Sequence, residues 1–374
     1  MKILGIETSC DETSMAVLEV DEKKKVKVLA NVISSQVKIH AKYGGVYPAL
    51  AAREHAKNID KVLKLTLKEA GLKSVEEIDL IAVTKGPGLA VALIVGITFA
   101  KTLAWKYKKS IVGVNHLEGH IYSNWLPLQD SNSGLLTLDS RLFPALCLIV
   151  SGGHTELVLM KGHGKYKILG ETQDDAAGEA FDKIARMLEL GYPGGPLISQ
   201  EAEKFGKSGI PPTLDPRLFA REFSSGCIPD LPRPMINSKN FDFSFSGLKT
   251  AVLYLVRKLV QQYPIAEIRP AVAYEAQQAI VDVLVSKTLR AAKDYQVKSV
   301  LLSGGVSANQ LLRETLEKKI SEELKEVNFF KPLMAYTTDN AAMIALAGYF
   351  NYAKSKEKTD FSWKSVAVDA NLRI

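Results

Sequence analysis

His116 and His120 stand four residues apart in the segment Asn115-His116-Leu117-Glu118-Gly119-His120. On a helix that spacing puts both imidazoles on one face, within reach of a single ion. Asn115 suits a helix N-cap, and Glu118 falls at the third position of a variant capping box, so a helix is expected to start here. Two imidazoles still leave the ion short of a ligand, and a carboxylate from elsewhere in the chain would complete a set with open coordination positions. Zinc peptidases place their general-base glutamate directly after the first histidine. Leu117 occupies that place here, and Glu118 lies about 200° round the helix, facing away from the ion. The peptidase reading is therefore weak.

Three further segments carry anion-binding chemistry: Thr8-Ser9-Cys10-Asp11-Glu12-Thr13, Ser151-Gly152-Gly153-His154-Thr155 and Ser303-Gly304-Gly305-Val306-Ser307-Ala308-Asn309. Glycine lets backbone N–H groups approach a phosphate without a Cβ in the way, and hydroxyls add donors. Ser307 and Gln310 form an S-x-x-Q capping box, so a helix is expected to begin at Ser307 and point its positive end at the third loop. None of the three has the lysine of a Walker A loop. The same loops would serve an ATPase or a sugar-kinase-like protein, but such a protein has no use for the histidine pair. An inactive scaffold would not need intact loops and imidazoles together.

Elements must hold these residues in place. Residues 2–7, 14–20 and 27–34 read as strands, with a polar turn at Thr8–Thr13. A helix is expected from about Leu50 to Ala70, a buried strand over Ile78–Thr84, an apolar helix from the Lys85–Gly88 turn through Trp105, and a strand over Ser110–Val114. Gln129–Arg141 reads as a loop insertion or hinge. At Phe143 the opening theme returns: strand Leu146–Val150, the glycine turn, and strand Glu156–Met160. Helices follow near Ala176–Leu188, at Leu248–Gln262 and at Ile268–Ala292, with an irregular proline-rich stretch from Ile210 to Pro234. Strand Val297–Leu302 leads into a helix ending near Leu324. Strands alternating with helices imply parallel sheets flanked by helices, and two similar openings imply a duplicated α/β architecture with ligand loops facing across a cleft.

At 374 residues the chain is long enough for two domains with full cores. The longest apolar stretch, between Lys85 and Lys101, holds two glycines and a proline and falls short of the ~20 residues a membrane span needs. The sequence enters a strand pattern at Met1–Ile6, so no signal or transit peptide is expected. Three cysteines without CxxC spacing fit a reducing compartment. A cytoplasmic chain off the membrane is expected. The net charge of +7 permits an RNA partner without demanding one, and the Lys23–Lys25 cluster with Lys27 reads as a solvated hairpin turn.

Eight segments, in order along nearly the whole chain, resemble the signatures of the TsaD family, the bacterial tRNA adenosine threonylcarbamoyltransferases once taken for O-sialoglycoprotein endopeptidases. They are Gly5–Thr13, the His116/His120 segment, Ser151–Thr155, Asp175–Lys183, Tyr192–Pro196, Asp242–Thr250, Gly304–Asn309 and Thr338–Asn340. The resemblance implies a two-lobed fold of the actin/Hsp70/sugar-kinase (ASKHA) class, with a central nucleotide cleft. One lobe would comprise residues 1–142 and about 337–374, the other residues 143–336. It implies transfer of threonylcarbamoyl from threonylcarbamoyl-AMP to N6 of adenosine 37 in tRNAs reading codons that begin with adenine, with release of AMP. It places the third metal ligand on Asp339 and a catalytic carboxylate on Asp11. Substrate contacts fall on Ile149, Val150, Ser151, Gly152, Gly153, Asp182, Gly195 and Asn309, with Glu12, His154 and Ser307 as further candidates. One divalent metal is implied, Fe(II) before Zn(II), together with a dimerising TsaB-like paralogue and a small TsaE-like ATPase as partners. Gln310 departs from the arginine common in the family, and residues 129–141 and 207–230 form longer stretches than usual, where partner or tRNA contacts would differ.

Overall fold

The chain opens with three strands that turn back on one another: β1 (Lys2–Glu7), β2 (Glu12–Val20) and β3 (Val26–Ser35), each antiparallel to the last. This computed structural model describes residues 1–127, 142–208, 230–355 and 361–374. Helix α1 (Pro48–Glu69) has Pro48 as its first residue, where a missing N–H costs nothing. It leads to β4 (Leu80–Gly86), which lies parallel to β1. Helix α2 (Ala90–Tyr107) then crosses to β5 (Ser110–Asn115), parallel to β4, and α3 (His116–Tyr122) follows without a gap. The sheet order is β3-β2-β1-β4-β5.

The second half repeats the plan. Strands β6 (Ala145–Val150), β7 (Thr155–Gly162) and β8 (Lys165–Glu171) form an antiparallel meander. Helices α4 (Ala177–Met187), α5 (Gly194–Ser208), α6 (Ser246–Leu259) and α7 (Ile265–Asp294) come next. Strand β9 (Ser299–Ser303) is parallel to β6, α8 (Gln310–Glu323) follows, and β10 (Asn328–Phe330) is parallel to β9. Read from the meander, the order β8-β7-β6-β9-β10 is that of the first sheet. Two such mixed sheets with helices between and outside them are the α/β, ASKHA-class architecture. The strands and helices expected from the sequence all recur with shifted ends. Strands β8 and β10 and helices α5 and α9 (Ala341–Ser355) had no counterpart in the sequence reading.

The layers follow from where the apolar residues point. Helices α1 and α2 cover one face of the first sheet through Ile59, Leu63, Leu93 and Ile97, packed on Leu4, Ile6, Ile81 and Val83. Helices α3 and α9 lie between the sheets, where Leu117, Ile121 and Ile344 meet Ile3, Ala16 and Ala82 on one side and Cys147, Ile149 and Leu301 on the other. Helices α4 to α8 pack on the far face of the second sheet. Among the described residues α2 is the one helix long and apolar enough, by length and composition, to cross a membrane. The apolar run therefore extends past Lys101, where the sequence reading ended it. One side of α2 is committed to β4 and α1. Residues 129–141 lie outside the described residues, as do 210–229 of the proline-rich stretch. Cys10 and Cys147 are free thiols.

Close backbone approach sets α9 against the first sheet. A Cβ on Gly5 would stand 2.1 Å from the carbonyl oxygen of Ala341, and one on Gly348 would stand 2.4 Å from Cβ of Ala82. Only glycine lets the helix lie this close, and the helix begins directly after Asp339 and Asn340. Gly5→Ala is expected to push α9 outward and destabilise the protein by about 1–3 kcal/mol, the usual range for overpacking. Urea unfolding, with an unchanged m-value, checks it.

Candidate functional site

Asn115 ends β5 and caps α3, its Oδ1 accepting from the N–H of Leu117 at 2.8 Å. The cap fixes the start of the helix and therefore the direction of both histidines. His116 and His120 lie on one face with ring centroids 4.6 Å apart and nearly perpendicular planes. Glu118 turns the other way, as expected, and is bound by Tyr166 Oη at 2.9 Å and Asn351 Nδ2 at 2.8 Å. It does not reach back to the cap.

Asp339 arrives from the far end of the chain on the turn before α9. Its Oδ1 stands 3.4 Å from Nε2 of His116 and 3.2 Å from Nε2 of His120. The three ligand atoms lie within 4.8 Å of one another. Neither ring nitrogen of His120 makes a hydrogen bond, although both are buried. Orphaned buried nitrogens are rare and ask for a partner. Ligands ~2.0–2.1 Å from a tetrahedral ion stand roughly 3.4 Å apart, so the two nitrogen–oxygen separations fit a shared divalent ion. The donor set, two imidazoles and one carboxylate, suits Fe(II) or Zn(II).

Glu7, at the end of β1, was not singled out from the sequence, yet it completes the group. Its Oε2 lies 2.9 Å from Nδ1 of His116 and accepts from Thr84 Oγ1 at 2.7 Å. Its Oε1 accepts from the N–H of Ser9 at 2.5 Å. A carboxylate on Nδ1 leaves Nε2 to face the ion. The one signal was a charged residue closing an otherwise apolar strand. Burial depresses the basicity of His116, but Asp339 and then Glu7 outweigh it, so the imidazole titrates well above its ordinary range. His120 is held below that range, first by burial. Burial works against ionisation of Asp339 too, and the two imidazoles overcome it.

Asp11 and Glu12 follow the Thr8-Ser9 turn, which Gly88 and Gly96 allow to nest against α2: a Cβ on either would meet Ser9 or Thr8 at under 3 Å. Oδ2 of Asp11 is buried without a hydrogen-bond partner. Glu12 accepts from Ser35 Oγ at 3.1 Å, and burial, then the charges of Asp339 and Asp11, push it up to about 10. Across from them stand residues of the second lobe. Asp182 on α4 accepts from the N–H of Gly194 at 2.7 Å, and burial first, with Asp11 among lesser causes, raises its carboxyl. Tyr192 lies close enough to both Asp11 and Asp182 for their charges to raise its phenol, after burial.

The glycine loops converge on the same region. Gly304, at φ +88°, would place a Cβ 2.4 Å from the carbonyl oxygen of Val150, and Gly178 would place one 2.5 Å from that of Ser151. The end of β6, the start of α4 and the β9 turn are thus packed backbone to backbone. Ile149 and Val150 bury their side chains in the two cores, so only their main chain can meet a ligand. Gly152, Gly153 and Gly195 have open space where a Cβ would be. His154 Nα–H bonds Ser151 Oγ at 3.1 Å, and burial, then the nearby His116 and His120, lowers its imidazole to about 4. The loop therefore lies within electrostatic reach of the histidine pair.

The third loop corrects the expected cap. Gly305–Ala308 form a 3-10 turn, so the α-helix starts at Gln310 and Asn309, not Ser307, is its N-cap, with Oδ1 accepting from Leu312 N–H at 3.0 Å. Gln310 bonds Glu314 instead of reaching back. Ser307 Oγ is buried and unpaired. The amide of Asn309 donates to Gln277 Oε1 at 2.8 Å and Ser199 Oγ at 3.1 Å, which fixes the side chain within the second lobe.

A family model described as "tRNA N6-adenosine threonylcarbamoyltransferase" (TsaD) matches residues 27–346. The chain belongs to the TsaD family. A protein of that name from Persephonella marina is 44% identical over 370 residues, covering 98% of this chain and 95% of the relative. One from Dehalococcoides mccartyi is 48% identical over 357 residues, covering 96% and 95%. One from Bacillus subtilis is 44% identical over 355 residues, covering 95% and 91%.

Two expectations follow for this TsaD site. Glu7→Gln keeps the shape but removes the anion behind His116, and should weaken affinity for a divalent ion by about 10- to 100-fold in a chelator competition. Asp339 and Glu7 hold the His116 imidazole well above its ordinary range when no ion is bound, and an ion needs its Nε2 lone pair, so binding is expected to expel a proton and tighten as pH rises. Calorimetric metal titrations in buffers of different ionisation enthalpy read this directly; proton release near zero would contradict it.

Proposed function

We propose that the His116, His120 and Asp339 group and the facing glycine loops carry out the family reaction, transfer of threonylcarbamoyl from threonylcarbamoyl-AMP to N6 of adenosine 37 in tRNAs reading codons that begin with adenine. The observation that carries this is the convergence of a buried metal-ligand set with an unpaired carboxylate, Asp11, beside open glycine backbone. A divalent ion, Fe(II) before Zn(II), would be held by the three ligands, and when bound it supplies Lewis-acid polarisation of the transferred carbonyl.

The chain's own groups account for the rest. The open backbone at Gly152, Gly153 and Gly195 cradles the phosphate and ribose of the adenylate, with Ile149 to Ser151 at the end of β6, Asp182 and the Asn309-capped helix beside it. His154 and Ser307 border the same space. The amine N6 attacks the carbamoyl carbon, a carbon–nitrogen bond forms, the bond from that carbon to the phosphate oxygen breaks, and AMP departs. Asp11 takes the amine proton on its unpaired Oδ2. Glu12, protonated at neutral pH, keeps this pocket from accumulating a further negative charge.

A dimerising TsaB-like paralogue and a TsaE-like ATPase are part of this reading. Its support is the outer side of α2, where Val91, Ile94 and Trp105 are exposed on one face, with Leu65 of α1 exposed nearby in the fold. Apolar side chains repeated along a helix face suit a partner helix.

Asp339→Ala should lose stoichiometric metal and threonylcarbamoyl transfer together, measured by metal analysis and by transfer of labelled threonine from threonylcarbamoyl-AMP to tRNA. Full transfer by the metal-free variant would refute the assignment.

A further inference from the structure

The segment between β3 and α1 leaves the first sheet beside Asp11 and touches the second lobe at its far end, and its two sides differ in character. The inner side is polar and held. Gln36 N–H donates to the carbonyl oxygen of Asp11 at 3.0 Å, and Gln36 Oε1 lies 3.1 Å from Nε2 of the buried His40. His40 Nδ1 in turn accepts from the N–H of Tyr47 at 3.3 Å. At the far end, the carbonyl oxygen of Gly44 accepts from Arg186 Nη2 on α4, one turn beyond Asp182. Gly44 sits at φ +67°, and a Cβ there would come within 3.3 Å of the guanidinium.

The outer side carries two tyrosines. Tyr43 is 64% exposed and Tyr47 57% exposed. Their ring centroids stand 5.9 Å apart at an interplanar angle of 32°. Lys38 and Lys42 are exposed on the same segment. Large rings are seldom left in water at the tip of a loop whose backbone is tied down at both ends. Nothing of the core needs them, since the buried side chains of the segment are Gln36 and His40.

We propose that Tyr43 and Tyr47 form a stacking platform for the unpaired anticodon-loop bases that flank the target adenine, with Lys38 and Lys42 facing the adjoining phosphates. The proposal rests on the transferase reading above. An adenine whose N6 must reach Asp11 leaves its stack, and the bases on either side each lose a neighbour. Aromatic side chains beside the entrance replace that neighbour without regard to base identity, because every base has a π face. Lysine ammonium groups match the backbone charge of single-stranded RNA. A protein occupant is the competing possibility, and the basic rim beside the reaction mouth favours RNA.

The test uses the full chain with an anticodon stem-loop carrying the target adenine, and with whole tRNA under conditions where the parent protein transfers. Tyr43→Ala and Tyr47→Ala should each weaken stem-loop binding about tenfold. They should raise KM for tRNA while kcat and KM for threonylcarbamoyl-AMP stay near the parent values. Phenylalanine at either position should restore binding and leucine should not. A 2-aminopurine placed next to the target should be quenched by the parent and the phenylalanine variants and not by the alanine variants. Parent-like stem-loop binding by the double alanine variant, equal rescue by leucine, or loss of a protein companion with RNA binding intact would each overturn the platform. If stem-loop binding depends on the tyrosines but the parent transfers nothing to tRNA, the platform stands and the transferase reading falls.

Discussion

Four titratable side chains in a row, Glu7, His116, Asp339 and His120, sit together, three of them buried and Asp339 partly so. Charges so buried are tolerated only when each is paired, and here the partners come from four separate places: the end of β1, two positions on α3, and the turn before α9. That requirement explains why the surrounding backbone is pressed so close. Strand β1 and helix α9 meet through Gly5, strand β4 and α9 through Gly348, and Asn115 holds α3 at its first turn. A helix displaced by the width of one methyl group would separate Asp339 from the imidazoles and leave charged groups stranded.

The repeated sheet order gives the same scaffold twice and uses it differently. In the first sheet the turn after β1 carries acids, Asp11 and Glu12. In the second, the turn after β6 carries glycines, with open space beside the backbone at Gly152 and Gly153. One half thus contributes carboxylates and imidazoles, the other chiefly glycine backbone. The two halves are joined by the shared apolar layer of α3 and α9 and, at the other end, by Arg186 on Gly44.

Much of this was legible in the residues. The histidine spacing announced a shared face, the Asn115 cap announced the helix, and the return of a strand–glycine turn–strand unit at Phe143 announced duplication. Asp339 was not legible from spacing, because a ligand contributed from so far along the chain leaves no local pattern; resemblance supplied it. Helix α9 was missed because Ala341 to Gly348 are all buried, and a helix apolar on every side has no periodic face to read. Helix α5 opens with Gly194-Gly195-Pro196, which reads as a turn, and β10 has three residues. The S-x-x-Q spacing points to Ser307 as the cap, whereas in the folded chain a 3-10 turn intervenes and hands the role to Asn309.

The wide separation between the histidines and Asp339 has a consequence for how the centre is born. A ribosome delivers β1, α3 and both histidines early, and then the entire second sheet, before the last ligand appears. Until Asp339 arrives, a nascent chain holds two imidazoles with no carboxylate opposite, so on the proposal that these three groups hold a divalent ion the donor set is completed only near the end of synthesis. On that reading chain completion and completion of the donor set are one event, and a product cut short between Asn309 and Asp339 would carry every glycine loop yet only two of the three donors.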